Sequence, residues 1–71
     1  MTEQERKIVG DLIEAMENKD RAEEGFYWHL EHVEDPDRRT SSYRKFTIAV
    51  AAYRDARRAA EALWVQAPRA A

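Results

Sequence analysis

Apolar residues recur at alternating spacings of three and four positions through the first half of the chain. Six of them form one stripe, which Lys19 and Glu23 continue in the same register: Val9, Leu12, Met16, Phe26, Leu30 and Val33. This spacing is typical of one face of an α-helix. Thr2 and Glu5 stand before the stripe with the spacing of a capping box, which marks a helix start. We therefore predict a first helix over about residues 3–34.

The centre of this predicted helix is its weakest part. Residues 18–21 are all polar, and Asp20 with Glu23 could cap a new helix start. Gly10 and Gly25 each cost about 1 kcal/mol relative to alanine inside a helix. We expect a kink near residues 18–20.

A second stripe with the same spacing follows in the other half of the chain. It consists of Phe46, Ala49, Tyr53, Ala56, Ala60, Leu63 and Ala67. Pro36 ends the first helix, because proline cannot donate into the preceding backbone ladder. Either Asp35 caps a helix that has Pro36 in its first turn, or the chain stays extended until residues 40–42 cap it. We favour the later start: a turn over residues 35–41, a helix over 42–67 and a short tail over 68–71 that begins at Pro68.

The two stripes predict an all-α fold, an antiparallel helical hairpin in which paired residue numbers sum to about 75. In this register Phe26 faces Ala49, and Met16 faces Ala59 or Ala60. The apolar positions of the first helix cover about half of its circumference, more than one neighbouring helix needs. We therefore expect the hairpin to dimerise into a four-helix bundle.

One alternative fold remains open from the sequence. Residues 26–33 and 44–50 also contain apolar and polar residues that alternate with period two, and both are rich in aromatic and β-branched side chains. In that case Gly25 would end a shorter first helix and the order would be α-β-β-α.

Length and charge place limits on the class of protein. The 71 residues predict one small domain, whose thin margin of stability calls for self-association or a partner. There is no cysteine, so disulfides and thiolate metal sites are excluded. Residues 1–36 hold eleven carboxylates against four cations, and residues 37–71 hold eight cations against three carboxylates, which predicts a hairpin that partly neutralises itself. Charge interrupts every apolar segment and the N-terminus is acidic, so we expect a cytoplasmic protein with no membrane span.

Trp28 is the candidate for a binding residue, because it lies far from the centre of the apolar arc. It shares a line along the helix with Arg21, Gly25 and His32. Tryptophan and arginine are enriched at the centres of protein interfaces, and a glycine beside them opens a shallow groove. We interpret this line as a protein-binding surface. The alternative is a tryptophan that lies along its own helix or is buried in a dimer.

Two further groups of residues could bind a charged ligand. His29 and His32 stand three apart, but no third ligand lies one turn away, so we predict no metal site. Arg54, Arg57 and Arg58 give the second helix a basic flank that could contact phosphates or an acidic partner. Salt pairing on a solvated face is the favoured interpretation of this flank, because the whole domain is acidic.

No motif of catalysis or cofactor binding occurs in the chain. It lacks a cysteine nucleophile, a Gly-x-Ser-x-Gly segment and a glycine-rich phosphate loop. We predict a non-enzymatic protein-binding module without cofactors, such as an inhibitor, an adaptor or an assembly subunit. The alternatives are a nucleic-acid-associated regulator that uses the basic second helix, and a structural subunit of a larger assembly such as a phage particle.

Overall fold

The protein is a hairpin of two long helices. The computed structural model describes residues 1–66, where α1 (Glu3–His32) and α2 (Pro36–Gln66) pack against each other. The predicted all-α hairpin is confirmed. Within the described residues there is no strand, and the α-β-β-α alternative is wrong because both segments with period-two alternation lie inside helices. The predicted end at Pro68 and the tail over residues 68–71 lie outside the described part.

The capping box at the start of α1 is present. Thr2 Oγ1 accepts a hydrogen bond from the Glu5 backbone N–H at 3.1 Å, and Glu5 Oε1 accepts one from the Thr2 N–H at 3.2 Å. Each side chain satisfies an amide that has no partner inside the helix. From this start α1 continues through residues 18–20 as one helical element. The predicted kink there stays a prediction.

The second helix begins earlier than expected. α2 starts at Pro36, so the favoured start at residue 42 and the turn over residues 35–41 are wrong. Asp35 Oδ1 accepts a hydrogen bond from the Asp37 backbone N–H at 3.0 Å. Proline suits the first helical position, because its missing N–H would have no partner there. The two helices are therefore joined by only residues 33–35.

Arg39, in the first turn of α2, stabilises the short connection between the two helices. Its Nε donates to the backbone oxygen of Val33 at 2.5 Å, and its terminal nitrogen donates to that of Leu30 at 2.8 Å. These carbonyls lie at the end of α1, where the helix offers them no partner of its own. The guanidinium thus caps α1 from the neighbouring helix, which the sequence analysis did not predict.

The line of α1 that packs against α2 differs from the predicted stripe. The inward positions, which are buried or half-buried, are Ile8, Leu12, Ala15, Lys19, Ala22, Phe26, His29 and Val33. The predicted members Val9, Met16 and Leu30 each lie one residue further along and are 37%, 43% and 39% exposed. For α2 the predicted stripe is the inward line as far as Leu63, and it extends back through Ser42 to Arg39. Small residues meet at much of this contact, so larger side chains remain outside.

Ring contacts define the register of the two helices. Phe26 stacks on Phe46, with centroids 5.9 Å apart, and lies 5.3 Å from Tyr43. Lys19 Nζ lies 5.0 Å from the centre of the Tyr53 ring. The numbers in these pairs sum to between 69 and 72, in place of the predicted 75. The early start of α2 accounts for the difference, because it shortens the turn and slides the helices past each other.

The hairpin has a thin core. In the described residues no side chain is fully enclosed, and only Ala15 and Ser42 fall below a tenth exposed. The chain exposes 6071 Å² of surface. A compact protein of 8.3 kDa is expected to expose about 4,600 Å². The fold therefore leaves much more surface open to solvent or to other molecules than is usual for this mass.

Candidate functional site

The hairpin has two broad faces, one on each side of its inward lines. In antiparallel helices, the residues just before each inward position lie on one side, and the residues just after lie on the other. The first side contains Asn18, Arg21 and Gly25 of α1 with Arg38 and Lys45 of α2, which line one groove. We call this side the groove face. We call the other side the apolar face, for reasons given below.

The groove near the turn is cationic. It has a volume of about 490 Å³ and is lined by Asn18, Arg21, Ala22, Gly25, His29, Arg38, Ser41, Ser42 and Lys45. Three of these residues carry positive charge, and no carboxylate is among the described lining. The surrounding serines and asparagine add hydroxyl and amide groups that can hydrogen-bond an anion. We call this groove near the turn the cationic groove.

Two histidines near the groove donate hydrogen bonds to backbone oxygens of their own helix. His29 Nδ1 donates to the Gly25 backbone oxygen at 2.7 Å, and Ser42 Oγ lies 3.4 Å from the same nitrogen. His32 Nδ1 donates in the same way to the Trp28 oxygen at 2.9 Å. Both rings are therefore oriented by α1. Within residues 1–66 no cluster of three metal-ligating side chains occurs.

The predicted line of Arg21, Gly25, Trp28 and His32 is divided between two environments. Arg21 and Gly25 line the cationic groove. Trp28 lies further towards the turn, where its ring stacks on His32 with centroids 4.7 Å apart and 14° between the planes. The tryptophan thus lies along its own helix, and it is still 53% exposed. Its free face is available beside the groove.

The groove continues towards the chain ends with the opposite charge. A second depression of about 420 Å³ shares Asn18 and Lys45 with the cationic groove, and Asp11 and Glu14 line it. Its remaining lining is apolar and small, except for Ile48, which is 69% exposed. The groove face is therefore polarised along its length, positive near the turn and negative near the ends.

The predicted basic flank of α2 does not converge on one site. Arg57 Nε lies 3.0 Å from Glu61 Oε1 in an exposed pair one turn apart. Arg54 borders a depression on α2 together with Tyr43 and Thr47, whereas Arg58 lies two positions past the inward Ala56, on the outer side. Within residues 1–66 the ion pairs closer than 4 Å are this one and Lys19 with Asp20, and neither joins the two helices.

The apolar face carries most of the large exposed apolar side chains. It consists of Val9, Ile13, Met16, Tyr27 and Leu30 on α1, and Tyr43, Val50 and Trp64 on α2. All except Val50 are more than a third exposed. Asp20, Glu23, Arg54 and Arg57 lie among them near the middle of the hairpin. These four charged residues separate the exposed apolar side chains into one group near the turn and another near the chain ends.

Sequence reasoning missed Arg38 and Lys45 as site residues. Arg38, Ser41 and Lys45 have the three-and-four spacing of one helix line, but this pattern has meaning only if the helix already includes residue 38. The predicted start of the second helix at residue 42 places Arg38 in the turn before it, outside any helix line. The early start of α2 is what brings these cations opposite Arg21.

Comparison of the chain with family models, with curated proteins and with solved structures finds no match. In the described residues, neither helix has an apolar stretch of the length needed to cross a bilayer.

Proposed function

We propose that the hairpin is a non-enzymatic protein-binding module, which self-associates and binds an acidic segment of another protein along its groove face. The single observation that carries the proposal is the cationic groove, where Arg21, Arg38 and Lys45 converge from both helices without a carboxylate among the described lining residues. Three like charges held together in this way repel one another. An anionic ligand would relieve that repulsion.

Trp28 adds the apolar contact that a protein partner needs. Arginine binds carboxylates with two parallel hydrogen bonds, and tryptophan supplies a large rigid contact area. The exposed Trp28 ring lies on the same line of α1 as Arg21, two turns away. A partner segment with acidic residues followed by an apolar anchor would meet both features at once.

A nucleic acid is the second candidate ligand for the groove, because arginine also binds phosphate groups. Two features favour protein instead. The chain has a net charge of −2, and the groove continues into Asp11 and Glu14, which would repel a phosphate backbone that followed it. A protein segment can change its own charge along its length to match.

Comparative capture tests this proposal. The hairpin and two single variants, Arg21→Ala and Trp28→Ala, would be immobilised and exposed to extract of the native host, with and without nuclease. We expect one protein to be retained by the unmodified hairpin and lost by both variants, with nuclease treatment making no difference. Arg58→Ala is the matched control, since Arg58 lies on the outer side of α2. Retention that disappears with nuclease would instead support the nucleic-acid function.

Titration of the captured protein then measures the contribution of Trp28. Trp28→Ala should weaken binding by about 2 kcal/mol or more, the scale of an interface hot spot. Its helicity and oligomeric state should stay close to those of the unmodified chain, because the ring is half exposed. A lower melting temperature with unchanged affinity would contradict the assigned role.

Self-association is the second part of the proposal. The exposed surface exceeds that of a compact protein of this mass by about 1,500 Å². A standard protein interface buries about 800 Å² from each partner. This excess supports a dimeric four-helix bundle, which would enclose apolar side chains that one hairpin leaves exposed.

A further inference from the structure

We propose that the groove face binds an α-helix of the partner protein, acidic at the end near the turn and basic at the other end. This rests on the acidic segment proposed above and adds its secondary structure and the order of its charges. The bound helix would lie along both α1 and α2, so that the three helices form a bundle at this face. The shape of the groove supports a helix, and its charges support the order.

The two depressions of the groove face form one channel. They have volumes of about 490 Å³ and about 420 Å³, and they share Asn18 and Lys45 as lining residues. On α1 the channel begins at Asp11, and the line that it follows reaches Trp28 near the turn. This line is about 26 Å long, which is the length of an α-helix of about 17 residues. The channel is therefore long enough for a partner helix of between four and five turns.

Small side chains line the channel where a third helix would approach. Five alanines belong to the lining of the two depressions: Ala15, Ala22, Ala49, Ala52 and Ala56. Small residues allow two helix axes to come close, and larger side chains of the partner then fill the space between them. Ile48 stands beside these alanines and is 69% exposed. A bound helix would cover this apolar side chain, which the hairpin leaves open.

The walls of the channel favour a helix over an extended segment. Extended peptides commonly bind by adding a strand to a free sheet edge, where backbone hydrogen bonds supply the affinity. Both walls of this channel are helices, and their backbone groups bond along their own axes. A helical partner satisfies its own backbone groups and needs only side-chain contacts, as in other grooves that bind amphipathic helices.

Opposite charges occupy the two ends of the channel. The three cations of the cationic groove lie near the turn. Asp11 and Glu14 line the part near the chain ends, and Asp55 lies on the same side of α2, just before the inward Ala56. A partner with acidic residues along its whole length would bring them against these carboxylates, and like charges in contact disfavour binding. The complementary segment is therefore acidic at one end and basic at the other.

The charges at the two ends do not pair with each other. On α1 the nearest opposite charges of the channel are Glu14 and Arg21, two turns or about 10 Å apart along the helix. Among residues 1–66, neither of them forms an ion pair within 4 Å. Both charges are therefore available to a partner. A helix that binds both would change from acidic to basic across about two of its own turns.

Two designed peptides of about 18 residues test the charge order. The bipolar peptide carries glutamates in its first half and lysines in its second half, with alanines and leucines on one face throughout. In the acidic peptide, glutamate replaces every lysine. Calorimetric titration measures both dissociation constants. The unmodified hairpin should bind the bipolar peptide at least about tenfold more tightly than the acidic peptide, because only the acidic peptide meets like charges near the chain ends.

Charge reversal in the channel isolates the effect of its carboxylates. Asp11→Lys with Glu14→Lys should shift the ratio of the two dissociation constants at least about tenfold towards the acidic peptide. Comparison of this ratio between hairpins cancels the difference in helicity between the peptides. Glu17→Lys with Glu24→Lys is the matched control, since it changes the same charge on the outer side of α1. An equal shift in both double variants would overturn the proposed charge order.

A third peptide tests the helix. It carries proline in place of one central alanine of the bipolar peptide, which breaks a helix but keeps every charge. Its affinity should be at least about tenfold lower than that of the unbroken peptide. Circular dichroism should show a gain of helix when the unbroken peptide is mixed with the hairpin. Equal affinity for both peptides would mean that the segment binds in an extended form, and the proposed helix would be wrong.

Ile48→Ala tests whether the bound helix covers the channel near the alanines. This change should raise the dissociation constant of the bipolar peptide at least about threefold, because it removes an apolar contact. Val65→Ala is the matched control: Val65 is 68% exposed and lies on the outer side of α2, two positions past the inward Leu63. It should leave the dissociation constant unchanged. Equal effects of the two changes would place the peptide elsewhere and overturn the inference.

The outcomes separate this inference from the proposed function. If the unmodified hairpin prefers the acidic peptide and Arg21→Ala abolishes that binding, the bipolar helix is wrong and the acidic segment stands. If neither peptide binds, but a host protein is still captured through Arg21 and Trp28, the helix is again wrong and the proposed function stands. If sedimentation shows that the bipolar peptide dissociates a dimer, a second copy occupies the groove face. That result would overturn both the inference and the proposed use of this face.

Discussion

Arg39 donates a hydrogen bond to the backbone oxygen of Leu30 at 2.8 Å, and so the first turn of α2 caps the end of α1. The same guanidinium reaches Val33. The contact therefore joins the two helices across a connection of only three residues. It also explains why α2 can begin directly at Pro36.

Arg39→Ala should destabilise the hairpin by about 1–3 kcal/mol, since it removes a charged donor from a half-buried bond to Val33 and from an exposed bond to Leu30. Chemical denaturation monitored by circular dichroism measures the free energy of unfolding. Arg38→Ala is the control, because it removes the same side chain from the neighbouring position. Equal losses of unfolding free energy in both variants would mean that removal of a positive charge, and not removal of the cap on α1, causes the destabilisation.

Phe26→Ala should destabilise the hairpin by roughly 2 kcal/mol, below the roughly 3–5 kcal/mol of a fully enclosed phenylalanine. The ring contacts Phe46 and Tyr43, but it remains half-buried. Ile48→Ala removes an apolar side chain that is 69% exposed and should cost less than about 0.5 kcal/mol. A comparable cost for both would contradict the observed register.

Gly25→Ala and Gly10→Ala form a matched pair. An added methyl group meets no atom within 4 Å at either position, so each change should stabilise α1 by about 1 kcal/mol through helix propensity. Only Gly25 lines the cationic groove. We therefore expect Gly25→Ala to lower the affinity for the partner, whereas Gly10→Ala should leave it unchanged. Thermal melts and a binding titration of both variants test this.

The capping box predicts a pH dependence at the start of α1. Hydrogen bonding to the backbone N–H of Thr2, and then to its side chain, holds the pKa of Glu5 below its ordinary value. A lowered pKa in the folded state means that the stabilisation is complete above the unfolded value and is lost as the pH falls through the folded value. Glu5→Gln should remove this acid-sensitive part of helix stability.

NMR titration of the Glu5 side chain between pH 2 and pH 7 measures this pKa directly. A Glu5 titration that is unchanged by Thr2→Ala would contradict the assigned cause.

The sequence was sufficient to predict two helices in a hairpin, but neither the start of α2 nor which line of α1 meets α2. Thr2 and Glu5 mark the start of α1, and the spacing of Phe46 to Leu63 marks α2. The error lies in Val9, Met16 and Leu30, which were selected because they are large and apolar. α1 has two adjacent lines with the same period, and the hairpin uses the one with Ala15 and Ala22. Hydrophobic period alone does not distinguish an intramolecular contact from a contact with another chain.

The groove illustrates a different limit of sequence reasoning. Arg21 and Gly25 were predicted from α1 alone, since their line was visible within one helix. Arg38 and Lys45 join them only across the interface between helices, at a register set by the short turn. Aspartate before proline permits both an extended turn and a helix start. The Arg39 contact that favours the second is made to backbone oxygens, which no pattern of side chains records.

The thin core has a consequence for the amount of this protein in a cell. Proteolysis acts largely on molecules that have opened, and association lowers the open fraction. A hairpin without a fully enclosed side chain in its described part gains more from association than a protein with a large interior. Copies made in excess of their binding sites would be degraded first. Turnover would then match the number of molecules to the number of sites that they occupy.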